Sequence, residues 1–255
     1  MTQDVVDALR SAGCVFAEDE ARLLVEAATT PDELSDLVDE RVAGTPLEHI
    51  LGWVEFHGLR ISVDRGLFVP RRRTEVLVRE AVALAVGGTV VVELCCGVAA
   101  VATAIASDVA GVEAYAGDVD PAAVRFAARN LGAFGGHAYE GDLFDALPET
   151  LRGRIDIIVA NAPYVPTDAI ATMPVEARSY EPRVSLDGGP DGVQIHRRIA
   201  ADAAAWLAPG GHLLIETSER QAPLTVDAYA RGGLAARVIR AEDVDGTAVA
   251  GSTPA

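Results

Sequence analysis

The chain has 255 residues, half of them hydrophobic, and a formal net charge of −17, with 21 arginines and no lysine. That length accommodates one large α/β domain, or a large one with a small one. No apolar run reaches the roughly 18 residues of a membrane span, and the acidic start, Met1-Thr2-Gln3-Asp4, carries no apolar leader, so neither membrane insertion nor secretion is expected. The acidity argues against a surface that tracks a phosphate backbone. Three cysteines, with Cys95 and Cys96 adjacent, make no disulfide framework, so a reducing cytoplasm is the expected compartment.

Residues 1–50 read as a small helical domain. Ala21, Leu24, Val25 and Ala28 share a helical face, and Thr30-Pro31-Asp32-Glu33 is a helix start with Thr as N-cap and Glu three residues on. Leu34, Leu37, Val38 and Val42 form the next face, ended by Gly44. Residues 51–73 change character: Trp53–Phe56 and Leu59–Val63 flank His57-Gly58, the pattern of a β-hairpin linker. From residue 74 to 255 helix and strand alternate. The segments are a helix from Glu75 to Ala85, a strand at 89–94, a helix after Gly97 and a strand at 112–117. A helix opened by Asp120-Pro121, a buried strand at 155–160, a helix from Asp191 to Leu207 and a strand at 211–216 follow. Such alternation implies a mostly parallel sheet with helices on both faces. The last five residues, Gly251 to Ala255, are expected to fray.

In a doubly wound sheet ligands sit at the carboxyl ends of the strands, and four segments fall there. Glu93-Leu94-Cys95-Cys96-Gly97 is a strand-to-helix turn, either an ordinary one or one whose backbone N–H groups approach a cofactor. Cys95 and Cys96 read as small loop side chains, since no second cysteine pair or histidine cluster completes a metal site; the five scattered histidines have no ligand spacing, so no metal is expected. Asp118 ends the next strand, at the distance from Gly97 where an acid can accept both ribose hydroxyls of an adenosine cofactor. Asp120, before Pro121, reads as a helix N-cap. Gly141-Asp142-Leu143 is either a turn or an adenine contact, with Asp142 accepting the amino hydrogen and Leu143 packing on the ring.

Asn161-Ala162-Pro163-Tyr164, directly after a buried strand, is the most specific signal. An amide or aniline-like NH2 is a weak nucleophile because its lone pair is delocalised. If Asn161 and the Ala162 carbonyl each accept one N–H, the nitrogen is held with its lone-pair face toward a methyl donor, and Tyr164 packs on the planar group. Catalysis is then positioning plus electrostatics, with the proton leaving after transfer.

With these motifs the chain resembles the release-factor glutamine N5-methyltransferases. Gly44-Thr45-Pro46-Leu47-Glu48-His49-Ile50-Leu51-Gly52, Pro70-Arg71, Thr74-Glu75, Glu181-Pro182, Leu186-Asp187-Gly188-Gly189-Pro190-Asp191-Gly192 and Arg197-Arg198-Ile199 also follow that family's pattern. The resemblance implies a Rossmann-like class I methyltransferase sheet and S-adenosylmethionine as cofactor. It implies that Glu93, Cys95, Gly97, Asp118, Asp142, Leu143 and Asn161 contact the cofactor. It also implies that Asn161 to Tyr164 hold a glutamine side chain of a protein, a peptide release factor or a ribosomal protein. The family's loop usually reads Gly-x-Gly-x-Gly, whereas this chain has Cys95, Gly97 and Ala99. Were positive φ required at 99, Ala would cost about 1–2 kcal/mol. Ala162 stands for a proline, and Arg72 and Arg73 stand for Pro and Glu. The family's arginine near the end of the domain has no counterpart in residues 243–249. These departures suggest a divergent branch. Two other functions share these features: methylation of a base amino group in RNA or DNA, and a non-catalytic relative that binds a partner.

Overall fold

The computed structural model describes residues 2–254. Its first part is helical: α1 (Thr2–Ser11), α2 (Ala17–Ala27), α3 (Pro31–Val42) and α4 (Leu47–Leu51). Val5, Val6, Leu9, Ala17, Ala21, Leu24 and Leu34 make a core of their own. Thr30 caps α3 by accepting the Glu33 N–H. The return contact is displaced by one residue, because Glu33 Oε2 takes the N–H and hydroxyl of Thr29 instead of the cap's own N–H. Arg41 ties this unit together and onward, through Glu20 at 2.6 Å and Glu176 at 3.0 Å.

A hairpin follows, β1 (Trp53–Phe56) against β2 (Leu59–Ser62). His57 and Gly58 both take positive φ, as a two-residue turn between twisted strands demands. Asn130, on the helix Pro121–Gly132, fastens the hairpin to the following part of the chain by pairing with both backbone groups of Ser62, and also donates to the Val98 carbonyl at 2.9 Å.

The remainder forms a seven-stranded sheet: β3 (Val90–Leu94), β4 (Glu113–Asp118), β5 (His137–Glu140), β6 (Ile155–Ala160), β7 (Leu207–Glu216), β8 (Ala235–Ala241) and β9 (Gly246–Ser252), in the order β5-β4-β3-β6-β7-β9-β8. The pairs from β5 to β7 are parallel, and β9 runs antiparallel to both neighbours. Helices α5 (Glu75–Leu84), α6 (Ala100–Asp108), α7 (Pro121–Gly132), α8 (Val175–Tyr180), α9 (Gln194–Trp206) and α10 (Ala222–Arg231) complete this part. The central strands are buried on both faces, so β3 and β6 are near-continuous runs of Val, Ile and Leu. Each fully buried Leu or Ile there contributes about 1.5–3 kcal/mol. Two cores, one on each side of the sheet, share these strands. Asp120 accepts the Ala122 N–H and caps α7, as its place before Pro121 predicts.

Three expectations are corrected. The helix expected from Asp191 begins at Gln194, because Gly189 and Gly192 adopt positive φ and turn the preceding loop. The strand expected at 211–216 starts at Leu207. The C-terminus does not fray through residue 254: Gly251 and Ser252 belong to β9, the Thr253 N–H donates to the Gly211 carbonyl at 3.0 Å, and the Gly210 N–H donates to the Pro254 carbonyl. Ala255 lies outside the described residues. No helix among the described residues is long and apolar enough to cross a membrane.

Candidate functional site

The chain order places β4 and β5 on one side of β3 and β6 on the other, so the switch of direction lies between β3 and β6. The register levels the carboxyl ends: Leu94 lies opposite Gly117 and Ala160, and Ala160 lies opposite Ile215. Asp118, Cys95, Asn161 and Glu216 are therefore the residues leaving four adjacent strands at one height.

The turn after β3 is built from left-handed backbone. Cys95 (φ 51°), Gly97 (φ 52°) and Ala99 (φ 57°) all take positive φ. Among these only glycine does so without strain. Asp118 braces the turn, with Oδ2 accepting the Gly97 N–H at 2.8 Å and Oδ1 the Asp120 N–H at 2.9 Å. Glu93 is buried and accepts the Ala102 N–H at 2.7 Å, satisfying a donor in the first turn of α6. Burial pushes its carboxyl up to about 8 despite that bond. Burial likewise raises Asp118 above the ordinary carboxylate range, and holds the Cys95 and Cys96 thiols far up, which removes them as nucleophiles at neutral pH. Asp142 pairs with Arg198 at 2.7 Å, and Leu143 takes φ 54°, so this corner is also strained. Gly141 is obligatory in it: a Cβ would meet the Ala146 backbone at 2.6 Å.

On the other side of the switch, Asn161 donates from Nδ2 to the Thr74 hydroxyl at 3.3 Å. Its Oδ1 accepts no hydrogen bond from any described residue. Tyr164 donates its hydroxyl to Glu216 Oε1 at 3.2 Å, the same oxygen that receives Arg73 Nε at 3.1 Å. Burial, then the neighbouring Glu216 charge, holds the Tyr164 phenol well above its usual range. Ala162 is buried, and its backbone faces the ring of His196, also buried, whose pKa burial depresses to about 4.

The late loop clamps this segment from behind. The Val165 N–H donates to the Leu186 carbonyl at 3.0 Å and the Gly188 N–H to the Val165 carbonyl at 2.8 Å. Gln221 Nε2 donates to the carbonyls of Tyr164 and Asp191. Gly188 lies so close that a Cβ would reach the Pro163 oxygen at 2.7 Å.

Glu93, Cys95, Gly97, Asp118, Asp142, Leu143, Asn161, Ala162, Pro163 and Tyr164 all line one hollow of about 1110 Å³. That exceeds the roughly 300–1,000 Å³ of ordinary small-ligand sites, leaving space for two molecules. The far wall comes from the turn between α1 and α2, including Val15 and the exposed Phe16, and from Phe68, Arg71 and Glu181. The near end carries the carboxylates of Asp118 and Asp142, and so suits a cationic ligand. Sequence reasoning gave no role to Thr74, Arg73, Val119, Arg198 or Glu216. Glu216 had a usable signal, since an acid ending a buried parallel strand is the feature that singled out Asp118.

The model of a "Methyltransferase small domain" matches residues 72–177. A release factor glutamine methyltransferase of Geobacter sulfurreducens is 36% identical over 208 residues, 80% of this chain and 72% of that protein. The like-named protein of Mycolicibacterium smegmatis is 33% identical over 247 residues, 94% of this chain and 87% of that protein. A 4-amino-L-phenylalanine/4-methylamino-L-phenylalanine methyltransferase of Streptomyces pristinaespiralis is 35% identical over 202 residues, 76% of this chain and 68% of that protein.

Proposed function

Since this chain belongs to the release factor glutamine methyltransferase family, we propose that it transfers a methyl group from S-adenosylmethionine to the side-chain amide nitrogen of a glutamine in a peptide release factor. The observation that carries this reading is the Asn161 carboxamide, anchored through Nδ2 and with Oδ1 without a protein partner at the wall of the hollow.

The residues present suit the cofactor. Left-handed backbone at 95, 97 and 99 shapes the turn that leads into the α6 N-terminus, and Asp118 stands beside it with lone pairs left for ribose hydroxyls. The carboxylates of Asp118 and Asp142 match the positive charge of a sulfonium. When bound, S-adenosylmethionine supplies an electrophilic methyl carbon. Asp118 and Gly97 would hold its ribose end, Asp142 and Leu143 its adenine, and Glu93 and Cys95 would line the space between.

The chain's own part in the reaction is orientation. Asn161 Oδ1 and the Ala162 carbonyl accept the two N–H bonds of the substrate nitrogen, presenting its lone-pair face. Tyr164 packs on the planar amide. Nitrogen becomes more acidic as it is alkylated, so the proton leaves after transfer and no base is required beforehand. Protein substrate enters over the wall formed by the turn between α1 and α2, and a net charge of −17 disfavours a nucleic-acid substrate. We place the enzyme in the cytoplasm, in keeping with three free thiols.

A second reading rests on the Streptomyces pristinaespiralis relative: an arylamine has the same planar, weakly nucleophilic NH2, and a free amino acid fits the same hollow. Incubation with labelled cofactor and, separately, a release factor and 4-amino-L-phenylalanine tests both. Label on a single release-factor glutamine, located by mass spectrometry and lost in N161A, is expected. Label on the arylamine alone would replace the first reading by the second.

A further inference from the structure

Among the described residues four arginines line the hollow, and three of them are already claimed at their outer nitrogens. Arg41 donates through Nη1 to Glu176 and through Nη2 to Glu20, Arg71 through Nη2 to Glu181, and Arg198 through Nη2 to Asp142. Arg73 differs. It donates through Nε to Glu216 Oε1 at 3.1 Å, and among the described residues neither of its Nη groups enters a hydrogen bond. The acceptor is fixed, since the Glu216 side chain is 1% exposed and the same oxygen takes the Tyr164 hydroxyl at 3.2 Å. A guanidinium is planar and carries its donors in a rigid fork, so an anchor at Nε leaves the end-on Nη pair held and unspent. The guanidinium carbon lies 6.0 Å from the centre of the Tyr164 ring, and Thr74, next in the chain, receives the Asn161 NH2 at 3.3 Å. The unspent donors therefore stand beside the segment assigned to the acceptor nitrogen.

We propose that Arg73 is a specificity-determining residue that recognises a carboxylate carried by the methyl acceptor close to its reacting NH2. The two parallel N–H bonds of a guanidinium fork match the two oxygens of a carboxylate. The field of the hollow sorts the ends of such an acceptor: Asp118 and Asp142 repel a carboxylate from the cofactor end, and Arg73 draws it to the other side of the NH2. Two sources share this chemistry, the α-carboxylate of the residue that bears the NH2 and an acidic side chain next to it in a peptide. Glu216 is a positioning residue in this scheme, because it holds the fork from behind, out of solvent, and touches no substrate. The proposal rests on the reading that the acceptor nitrogen sits at Asn161.

Two pairs of acceptors, the members of each differing in that one charge, test it. One pair is N-acetyl-L-glutamine and its α-carboxamide. The other is a blocked peptide carrying Gln-Asp and its Gln-Asn twin. Calorimetry in the presence of S-adenosylhomocysteine, which has no methyl group to transfer, gives each Kd without turnover. Wild type should bind the charged member of at least one pair more tightly, on the order of tenfold, as a charge-assisted contact does. In R73Q that ratio should fall to within about twofold, and R73K, which keeps the charge and loses the fork, should fall between the two. Each ratio is taken on one protein, so a general weakening caused by the substitution cancels. Preference in the first pair alone identifies the α-carboxylate, and in the second alone the acidic neighbour. Equal binding of the twins by wild type, failure of all four to bind, or a preference that survives in R73Q overturns the proposal. Should R73Q not fold, an undiminished ratio in R73K does the same. The functional reading fails separately: a twin preference with no label on a release-factor glutamine sinks that reading alone, whereas label there without a twin preference sinks this proposal alone.

Discussion

Replacing Cys95 and Ala99 by glycine separates two costs that the turn after β3 combines. Each residue sits in left-handed backbone, at φ 51° and 57°, which costs a non-glycine residue about 1–2 kcal/mol. Glycine relieves that, but its freer unfolded chain returns about 0.4–1 kcal/mol. At Cys95, whose half-buried side chain lines the hollow and also packs against the core, only part of a methylene's worth of burial is lost, so C95G should gain about 0.5 kcal/mol, or some 1–2 °C in Tm for a chain of this size. At Ala99 the methyl is fully buried among Ala102, Ala116, Ala127 and Leu131. Its removal costs about 0.8 kcal/mol more, so A99G should be close to neutral. Urea unfolding of the two variants is the assay. A destabilised C95G, or an A99G more stable than C95G, would refute the assignment of strain and packing.

Three further outcomes are expected. Because Glu93 is raised from 4.5 to about 8, the folded protein holds a proton that the unfolded chain releases between those values, so this group's contribution to stability falls as pH rises from about 4.5 to about 8 and is flat above. Wild type minus E93Q should therefore fall across that window in unfolding experiments, and a rising difference would contradict the burial of Glu93. Asp118→Ala should weaken cofactor binding far more than saturated turnover and Asn161→Ala should do the reverse, measured by calorimetry and steady-state kinetics; matched losses in both would undo the division of roles. Gly192→Ala places a Cβ 2.3 Å from the Tyr164 oxygen, whereas Gly210→Ala, at a similar positive φ, meets nothing within 4 Å. The first should cost about 2–4 kcal/mol and the second about 1, as urea midpoints would show; equal costs would mean that the late loop does not press on the Asn161 segment.

Much of the fold was legible because it is periodic. The buried runs at 90–94 and 155–160 and the capped helices at 31 and 121 announce themselves through composition and punctuation. Strands β8 and β9 were not, since Ala-Ala-Arg-Val-Ile-Arg-Ala and Gly-Thr-Ala-Val-Ala-Gly-Ser carry small residues with weak alternation, and only pairing with β7 orders them. The nearness of Asp118 to the Gly97 turn could be anticipated from their spacing at strand ends, whereas the hydrogen bond between them could not. The convergence of Arg73, Thr74, Tyr164 and Glu216 could not. Their contacts span up to 143 residues, and Arg73 stands where the family pattern has a carboxylate. The start of α9 was misplaced because positive φ at Gly192 unwinds what its neighbours would otherwise continue.

The main-chain clasp of residues 186–188 on Val165, with Gln221 holding the Tyr164 carbonyl, has a consequence for how such enzymes can diverge. A segment pinned by its own peptide groups keeps its shape when side chains along it drift, which is why alanine can stand at 162 without the loop being rebuilt. The entropy of assembling the reactive geometry is spent during folding and not at each encounter. What a descendant chooses to methylate can then be rewritten at the distant rim, around Phe16 and Phe68, while the reacting centre stays as it is.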